Sequence, residues 1–305
     1  MIVPQGPHLG QMLRYVGRRP LLALLAWDVA IVLAFKLLHW EWVGSRHIPL
    51  GLYGGAISVI VGFRNNSAYA RWWEARTLWG QIVNNSRNLA REVISTLRSA
   101  PAEDPGPMHT LRRRLVYHQI AYVHALRQHL RGLPPVDPLA PFLSPSELAP
   151  LARETNVPLA LQLEIARMVQ QAEAAGWISP QQWQAIDGSL SALANAQGGT
   201  ERIKNTPMPK QYDFFPMLFV QIYCLLLPVG LVENLGWFTP LGSSVVGFMF
   251  LALDRIGRDL EDPFSNTIYD LPLTSITTGI ETNLRQMLGE TELPPPINPV
   301  GGVLW

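Results

Sequence analysis

The sequence predicts an all-α integral membrane protein with four transmembrane helices per subunit and a large cytosolic helical region. Of its 305 residues, 48% are hydrophobic and only 15% are charged, whereas soluble domains carry roughly 25% charged residues. Four apolar runs approach the length of a membrane span, and a long polar stretch with helical periodicity separates the second run from the third. The formal net charge of +1 gives no reason to expect nucleic acid as a partner.

The first apolar run extends from Leu21 to Leu38. It is close to the roughly 20 residues that cross a bilayer and too long for the core of a cleaved signal peptide. Asp28 and Lys36 lie within it, where an ionisable group is costly unless it faces protein or water. Either Asp28 hydrogen-bonds a neighbouring span while Lys36 extends to the interface, or the two residues have a functional role. The sequence leaves both alternatives open.

Three further runs complete the predicted membrane region. They cover residues 48–63, 214–232 and 238–253. The short link "ENLGW" makes the last two runs a helical hairpin. Basic residues flank both outer ends of the first pair, with Arg46 as the only Lys or Arg in the loop between, so these ends are predicted to be cytoplasmic. The basic residues before the first span are Arg14, Arg18 and Arg19, and those after the second are Arg64, Arg71 and Arg76.

The polar middle of the chain is predicted to form cytosolic amphipathic helices. Apolar residues recur at helical spacing over 78–97 and 108–130, and Pro-rich segments separate these stretches from the later helices. One of the later helices is expected to begin at Pro180 and to end at the glycines of "QGG". The predicted segments are 1–20 (cytosolic N-terminal), 21–70 (transmembrane helices 1 and 2), 71–212 (cytosolic helical region), 213–256 (transmembrane helices 3 and 4) and 257–305 (cytosolic C-terminal).

No motif for enzymatic chemistry is visible in the sequence. His118, His124 and His129 are spaced by six and five residues, which does not place two of them on one helix face for a shared metal. The single cysteine, Cys224, lies in an apolar run and is predicted to be a small buried residue. No phosphate-binding loop, nucleophile elbow or zincin motif is present. We therefore expect neither an enzyme nor a cofactor.

Three separated motifs resemble the bestrophin family, specifically its bacterial branch. They are "GFRNNSAYARWWEARTLWGQIVNNSRNLAREV", "GGTERIKNTPMPKQYDFF" and "DLEDPFSNTIYDLPL". The resemblance covers nearly the whole chain. It implies a homopentameric ion channel with one central pore, an apolar neck and a cytosolic aperture, located in the bacterial inner membrane with both termini cytoplasmic. The expected partners are other copies of the chain, the lipid bilayer and small inorganic ions.

The resemblance also implies roles for particular residues. The neck positions fall on Phe63, Val59 and Gly55, which helical periodicity places on one stripe. Periodicity alone favours lipid contact or plain packing for this stripe, and the resemblance reverses that preference. Gly55 stands where the family usually has a bulky aliphatic residue, so the outer end of the neck is expected to be wider. The aperture falls on Ile178 or Gln181.

Other family positions are predicted to be structural. Arg71, Trp72 and Trp73 are expected to anchor the cytoplasmic end of the second span. Animal bestrophins hold calcium in a clasp after the fourth span. Here Asp262 and Asp270 match the clasp, but Ser, Asn, Thr and Tyr replace most of its acids, so a tight calcium site is not expected.

The functional prediction is a passive channel for small monovalent ions. The family suggests anions such as chloride, and cation conduction is the open alternative because the predicted neck carries no charge. A secondary transporter is a rival, although it would show discontinuous spans in symmetry-related halves. A membrane-anchored scaffold or receptor without conduction is a second rival.

Overall fold

The computed structural model describes residues 1, 15–45, 47–98 and 104–305. Arg14, Arg46 and the first four residues of the Pro-rich segment "APAEDPGP" (100–107) lie outside these ranges. The described residues form helices and no extended strand. The α-helices are α1 (Arg18–Lys36), α2 (Leu50–Thr96), α3 (Gly106–Arg131), α4 (Pro145–Leu151), α5 (Val157–Ala174), α6 (Pro180–Asn205), α7 (Lys210–Leu235), α8 (Thr239–Glu261) and α9 (Leu273–Met287).

The chain divides into two compact units. The apolar unit comprises Pro4–Trp72 and Pro207–Asp262, and the polar unit comprises Met1–Val3, Trp73–Thr206 and Pro263–Trp305. Within the apolar unit, α1, α7 and α8 pack against one another. Ile57 and Val61 of α2 join Leu24 of α1 and Cys224 of α7 in one buried apolar cluster. The prediction that Cys224 is a buried apolar residue is confirmed.

Helix hydropathy identifies one candidate membrane stretch among the described residues. This stretch, Lys210–Glu261, has a mean hydropathy of 2.1 in its most apolar window and contains both α7 and α8. The other predicted spans are less apolar for a visible reason. α1 contains Arg19, Asp28 and Lys36, and the apolar part of α2 ends at Arg64. The four-span arrangement therefore stays a prediction.

The two ionisable residues of α1 have different surroundings. Asp28 is fully buried, and its two carboxylate oxygens accept hydrogen bonds from the hydroxyls of Ser243 and Ser244 on α8, at 2.8 and 3.0 Å. Lys36 is exposed, with its amino group 5.5 Å from the centre of the Phe35 ring. The hydrogen bond from a neighbouring predicted span to Asp28, which formed part of the first alternative given above, is observed.

The polar unit is organised around α3, which packs against α5 and α9. The residues that periodicity assigned to the inner face of α3 are all buried: Leu111, Leu115, Ile120, Val123, Leu126 and Leu130. Ile82, Leu89 and Val93 on the predicted apolar face of α2 are likewise buried, and Leu78 and Val83 on that face are half-buried. The predicted amphipathic helices are thus confirmed in this unit.

Helix α6 begins where the sequence predicted but ends later. The Ser179 side chain accepts from the Gln182 backbone N–H while the Gln182 side chain accepts from the Ser179 N–H, which fixes the start at Pro180. The predicted end at "QGG" was wrong, because α6 continues to Asn205. A Cβ at Gly199 would lie only 2.8 Å from a Leu78 methyl group. This glycine therefore permits close helix packing instead of terminating the helix.

Candidate pore-lining site

The apolar part of α2 has one packed face and one exposed face. Ile57 and Val61 are buried in the apolar unit, with Val61 only 1% exposed. On the opposite side, Val59 is 57% exposed and Phe63 is 67% exposed, and no atom lies within 4 Å of a Cβ built on Gly55. We call Gly55, Val59 and Phe63 the exposed stripe. The structure brings these three predicted residues together on one helix face.

The polar groups beside the exposed stripe are already paired. The Ser58 hydroxyl donates to the Gly54 carbonyl at 2.7 Å, and the Ser67 hydroxyl donates to the Phe63 carbonyl at 3.0 Å. Both bonds are within the helix, so neither hydroxyl is committed to a partner helix. The stripe itself offers only a glycine, an aliphatic and an aromatic side chain, which can exclude water but cannot replace the hydration shell of an ion.

A buried arginine follows the exposed stripe directly. Arg64 is only 1% exposed. Its guanidinium donates from Nη1 to the Asp254 carbonyl oxygen at 2.8 Å and to Asp254 Oδ1 at 3.1 Å, and from Nη2 to Asp213 Oδ1 at 2.5 Å. These charge-assisted bonds connect α2 to both α7 and α8. The sequence analysis used Arg64 only to predict membrane orientation. It did not predict that Arg64 bonds α2 to two other helices.

Helix α8 approaches α2 closely at the same level. The Asn65 amide donates to the Leu253 carbonyl at 2.8 Å, and Arg258 donates to Asp254 Oδ2 at 2.5 Å. A Cβ on Gly257 would clash with Asn65 Oδ1 and would lie 3.0 Å from Arg64 Nη1. Glycine at position 257 therefore lets the two helices meet. The part of α2 that follows Phe63 is held in place by both close packing and ion pairs.

The segment Arg71-Trp72-Trp73 contributes a further hydrogen bond between α2 and α8 in the apolar unit. Arg71 Nε–H donates to the Glu261 carbonyl at 2.7 Å. Glu261 is the last residue of α8, where backbone carbonyls lack partners within the helix. Trp72 is half-buried, and Trp73 is 55% exposed. Arg71 therefore satisfies the end of a neighbouring helix, in keeping with the structural role predicted for it.

The two aperture candidates differ in exposure. Ile178 is only 4% exposed and belongs to the buried set of the polar unit. Gln181 lies in the first turn of α6 and is exposed. Of the two, only Gln181 presents its side chain outside the protomer, a difference that the sequence pattern did not indicate.

The segment matching the calcium clasp is tied by its own hydrogen bonds. The buried Asp270 carboxylate accepts from the Thr267 hydroxyl at 2.5 Å and from the Thr267 N–H at 3.1 Å. Asp262 is half-buried. Across the described residues, no three His, Cys, Asp or Glu side chains come together in a group that could hold a metal ion. Both Asp270 oxygens are thus used in closing a local turn.

We expect micromolar calcium to leave the melting temperature of the protein unchanged. The reason is that hard-oxygen ligation needs several convergent carboxylates, and Asp270 is already bonded to Thr267. Thermal unfolding with added Ca²⁺, and again with a chelator, is the measurement. A rise of several degrees that the chelator reverses would contradict the expectation.

Comparison with known proteins connects this arrangement to a family of membrane proteins. The family model described as "Bacterial/Fungal Bestrophin protein" matches residues 11–286. The voltage-dependent anion channel-forming protein RSc3414 of Ralstonia nicotianae is 35% identical over 267 residues, which cover 86% of this chain and 85% of that protein. The voltage-dependent anion channel-forming protein YneE of Escherichia coli K12 is 33% identical over 292 residues, covering 95% and 92%.

A solved structure shares the architecture of the chain. The crystal structure of a bacterial Bestrophin homolog from Klebsiella pneumoniae aligns with a TM-score of 0.82 at 30% sequence identity. The alignment covers 89% of this chain and 98% of that one. The similarity therefore extends to the helical fold as well as to the sequence motifs.

Proposed function

Because the chain belongs to the bacterial and fungal bestrophin family, we propose that it is a subunit of a membrane channel that passes small anions down their gradient. Family and relatives indicate a channel and not an enzyme. The observation that carries the proposal is the exposed stripe of α2, an apolar helix face that the protomer leaves uncovered while it packs the opposite face.

The proposed channel is a ring of identical subunits, with five as the number implied by the resemblance. One subunit contributes a single copy of the exposed stripe, which cannot enclose an ion path by itself. Repeating α2 around a closed cyclic axis brings identical stripes to face one another. In this arrangement the packed face of α2, with Ile57 and Val61, faces the subunit's own core.

The exposed stripe forms the neck of the proposed pore. Phe63 and Val59 supply two successive apolar rings, and Gly55 supplies a third position without a side chain. Such rings close a pore by expelling water instead of by a steric plug. The neck is therefore narrowest at Phe63 and widest at Gly55. For the cytosolic aperture we propose Gln181, since Ile178 is buried within the protomer.

The proposed topology follows the charge pattern of the sequence. Four spans, in segments 21–70 and 213–256, cross the bacterial inner membrane, while residues 1–20, 71–212 and 257–305 lie in the cytoplasm. The basic residues at the cytoplasmic ends support this orientation. The buried Asp28, bonded to two serines, is compatible with membrane depth because both of its oxygens are satisfied.

Reversal potentials of the purified protein in planar bilayers test the proposed function. With asymmetric NaCl, we expect the reversal potential to follow the chloride gradient, because the relatives are named for anion conduction. A potential that follows sodium would reverse the selectivity. Absence of unitary current from protein that is assembled and folded would exclude the channel, and a detergent-solubilised sample containing monomer alone would exclude the ring.

A further inference from the structure

Two arginines of α3 lie side by side against α9 in the polar unit. Arg127 and Arg131 are one helical turn apart, so they project from the same face of α3. Arg127 Nη1 donates to the Thr277 hydroxyl at 3.0 Å, and Arg131 Nη1 donates to the Thr274 hydroxyl at 3.1 Å. Both side chains are partly buried. The protein thus holds two guanidinium groups in fixed positions at one helix contact.

Neither arginine has a carboxylate partner among the residues that the structure describes. The acids whose charge acts on them are Glu281, on Arg127, and Asp270, on Arg131. Glu281 is bonded to His124 at 2.9 Å and to Arg285 at 3.3 Å, and Asp270 is bonded to Thr267. Acidic groups nearby therefore lie beyond salt-bridge distance of both guanidiniums and have other partners.

Each arginine also has a buried donor without an acceptor. The Nε atoms of Arg127 and Arg131 are buried, and no described residue accepts from either of them. Buried N–H groups in folded proteins nearly always have a partner, and an ion is one of the groups that supply it. Two such donors on adjacent turns offer hydrogen bonds to one ligand.

The local charge favours an anion over a water molecule. Burial, followed by the neighbouring Arg127, lowers the pKa of Arg131 to about 10, which still leaves the guanidinium charged at neutral pH. Two cations one turn apart repel each other, and an anion between them removes this repulsion. Water would satisfy the donors without neutralising either charge.

We propose that Arg127 and Arg131, with the hydroxyls of Thr274 and Thr277, form a binding site for a single-atom monovalent anion such as chloride. A larger oxyanion fits less well, because both Nε atoms are enclosed by protein and Nη1 of each guanidinium already donates to a threonine. The site lies in the polar unit, and the inference does not depend on the assignment of the neck.

Anomalous diffraction from the unmodified protein tests the site directly. Crystals grown without halide and transferred to sodium bromide should show an anomalous peak within hydrogen-bond distance of both Nε atoms. Ordered arginine side chains with no anomalous peak between them would overturn the proposal. Ordinary electron density at that place that refines as water and gives no anomalous signal in bromide would overturn it as well.

Halide-dependent stability tests the site in solution. At an ionic strength kept constant with sodium acetate, replacing acetate by bromide or chloride should raise the melting temperature of the wild type. Arg131→Gln should abolish this halide response. The matched control is Arg113→Gln on the same helix, since the Arg113 side chain is 66% exposed and bonds to Glu290.

The outcomes of the stability test are distinct. A halide response lost in Arg131→Gln and kept in Arg113→Gln supports the site. An equal response in wild type and Arg131→Gln would contradict it. Should Arg131→Gln fail to fold, Arg127→Lys retains the charge but lacks the Nε–H, and we expect a halide response that needs higher concentrations. A halide response in Arg127→Lys equal to that of the wild type would then overturn the proposal.

Discussion

Replacing Phe63 by alanine should increase the unitary current or the open probability of the channel. Phe63 is 67% exposed in the protomer, so its ring contributes little to the packing of its own subunit. In the proposed pore, truncation removes an aromatic ring from each subunit, widens the narrowest part of the neck and lowers the cost of wetting it. Single-channel recording in planar bilayers is the measurement. Assembly should be unchanged.

A pair of valines on the same helix provides the matched control. Val59→Ala should also increase the current, because Val59 is 57% exposed on the same stripe. The increase should be smaller, because truncating valine removes fewer atoms than truncating phenylalanine. Val61→Ala makes the same chemical change on the packed face, where the residue is 1% exposed. It should cost roughly 2 kcal/mol of unfolding free energy and leave the unitary current unaltered. Unchanged current in Phe63→Ala and Val59→Ala together would rule out the neck.

Replacing Arg64 by methionine should strongly destabilise the protein. The change removes the cation that bonds to Asp254 and Asp213, and Asp254 is only 2% exposed. Breaking a buried ion pair by removing one partner costs about 3 to 5 kcal/mol, because the other charge remains buried. Arg258 still pairs with Asp254 and moderates the loss. The measurements are the melting temperature and the fraction of assembled protein in detergent.

Arg71→Met is the control for the Arg64 substitution. Arg71 is also an α2 arginine bonded to α8, but its bond to α8 is to a backbone carbonyl and the side chain is partly exposed. Its loss should cost about 1 kcal/mol. Equal losses of melting temperature in Arg64→Met and Arg71→Met would show that Arg64 stabilises the protein no more than Arg71 does. The double variant Arg64→Met with Asp254→Asn should recover part of the stability, since it removes a buried charge that has lost one of its two arginine partners.

Local sequence patterns did not predict the partners of Arg64 or the end of α6. Apolar periodicity identified the inner face of α3 because burial follows the helical repeat. The partners of Arg64 lie 149 and 190 residues away, so no local pattern links them to it. Glycine is common just after a helix end, which led to the wrong prediction at "QGG". The contact with Leu78 that requires glycine at position 199 comes from tertiary packing and leaves no local pattern.

Sequence spacing also could not assign an environment to the exposed stripe. Spacing alone placed Gly55, Val59 and Phe63 on one face but did not distinguish pore from lipid, because both environments accept apolar side chains. The structure adds that the protomer leaves this face open. The burial of Ile178 was equally inaccessible from sequence, since the residue precedes a helix and its neighbours come from tertiary packing.

In the proposed neck, the glycine at position 55 sets how far an ion travels without water. Positions 59 and 63 are four residues apart, so their rings are separated by about 6 Å along the helix. A bulky residue at position 55 would add a third ring and double this interval to about 12 Å. With glycine there, the proposed dehydrated passage is only about as long as one layer of membrane headgroups is thick. The voltage across the membrane then falls over this short interval, and each ion crosses its main energy barrier in one step.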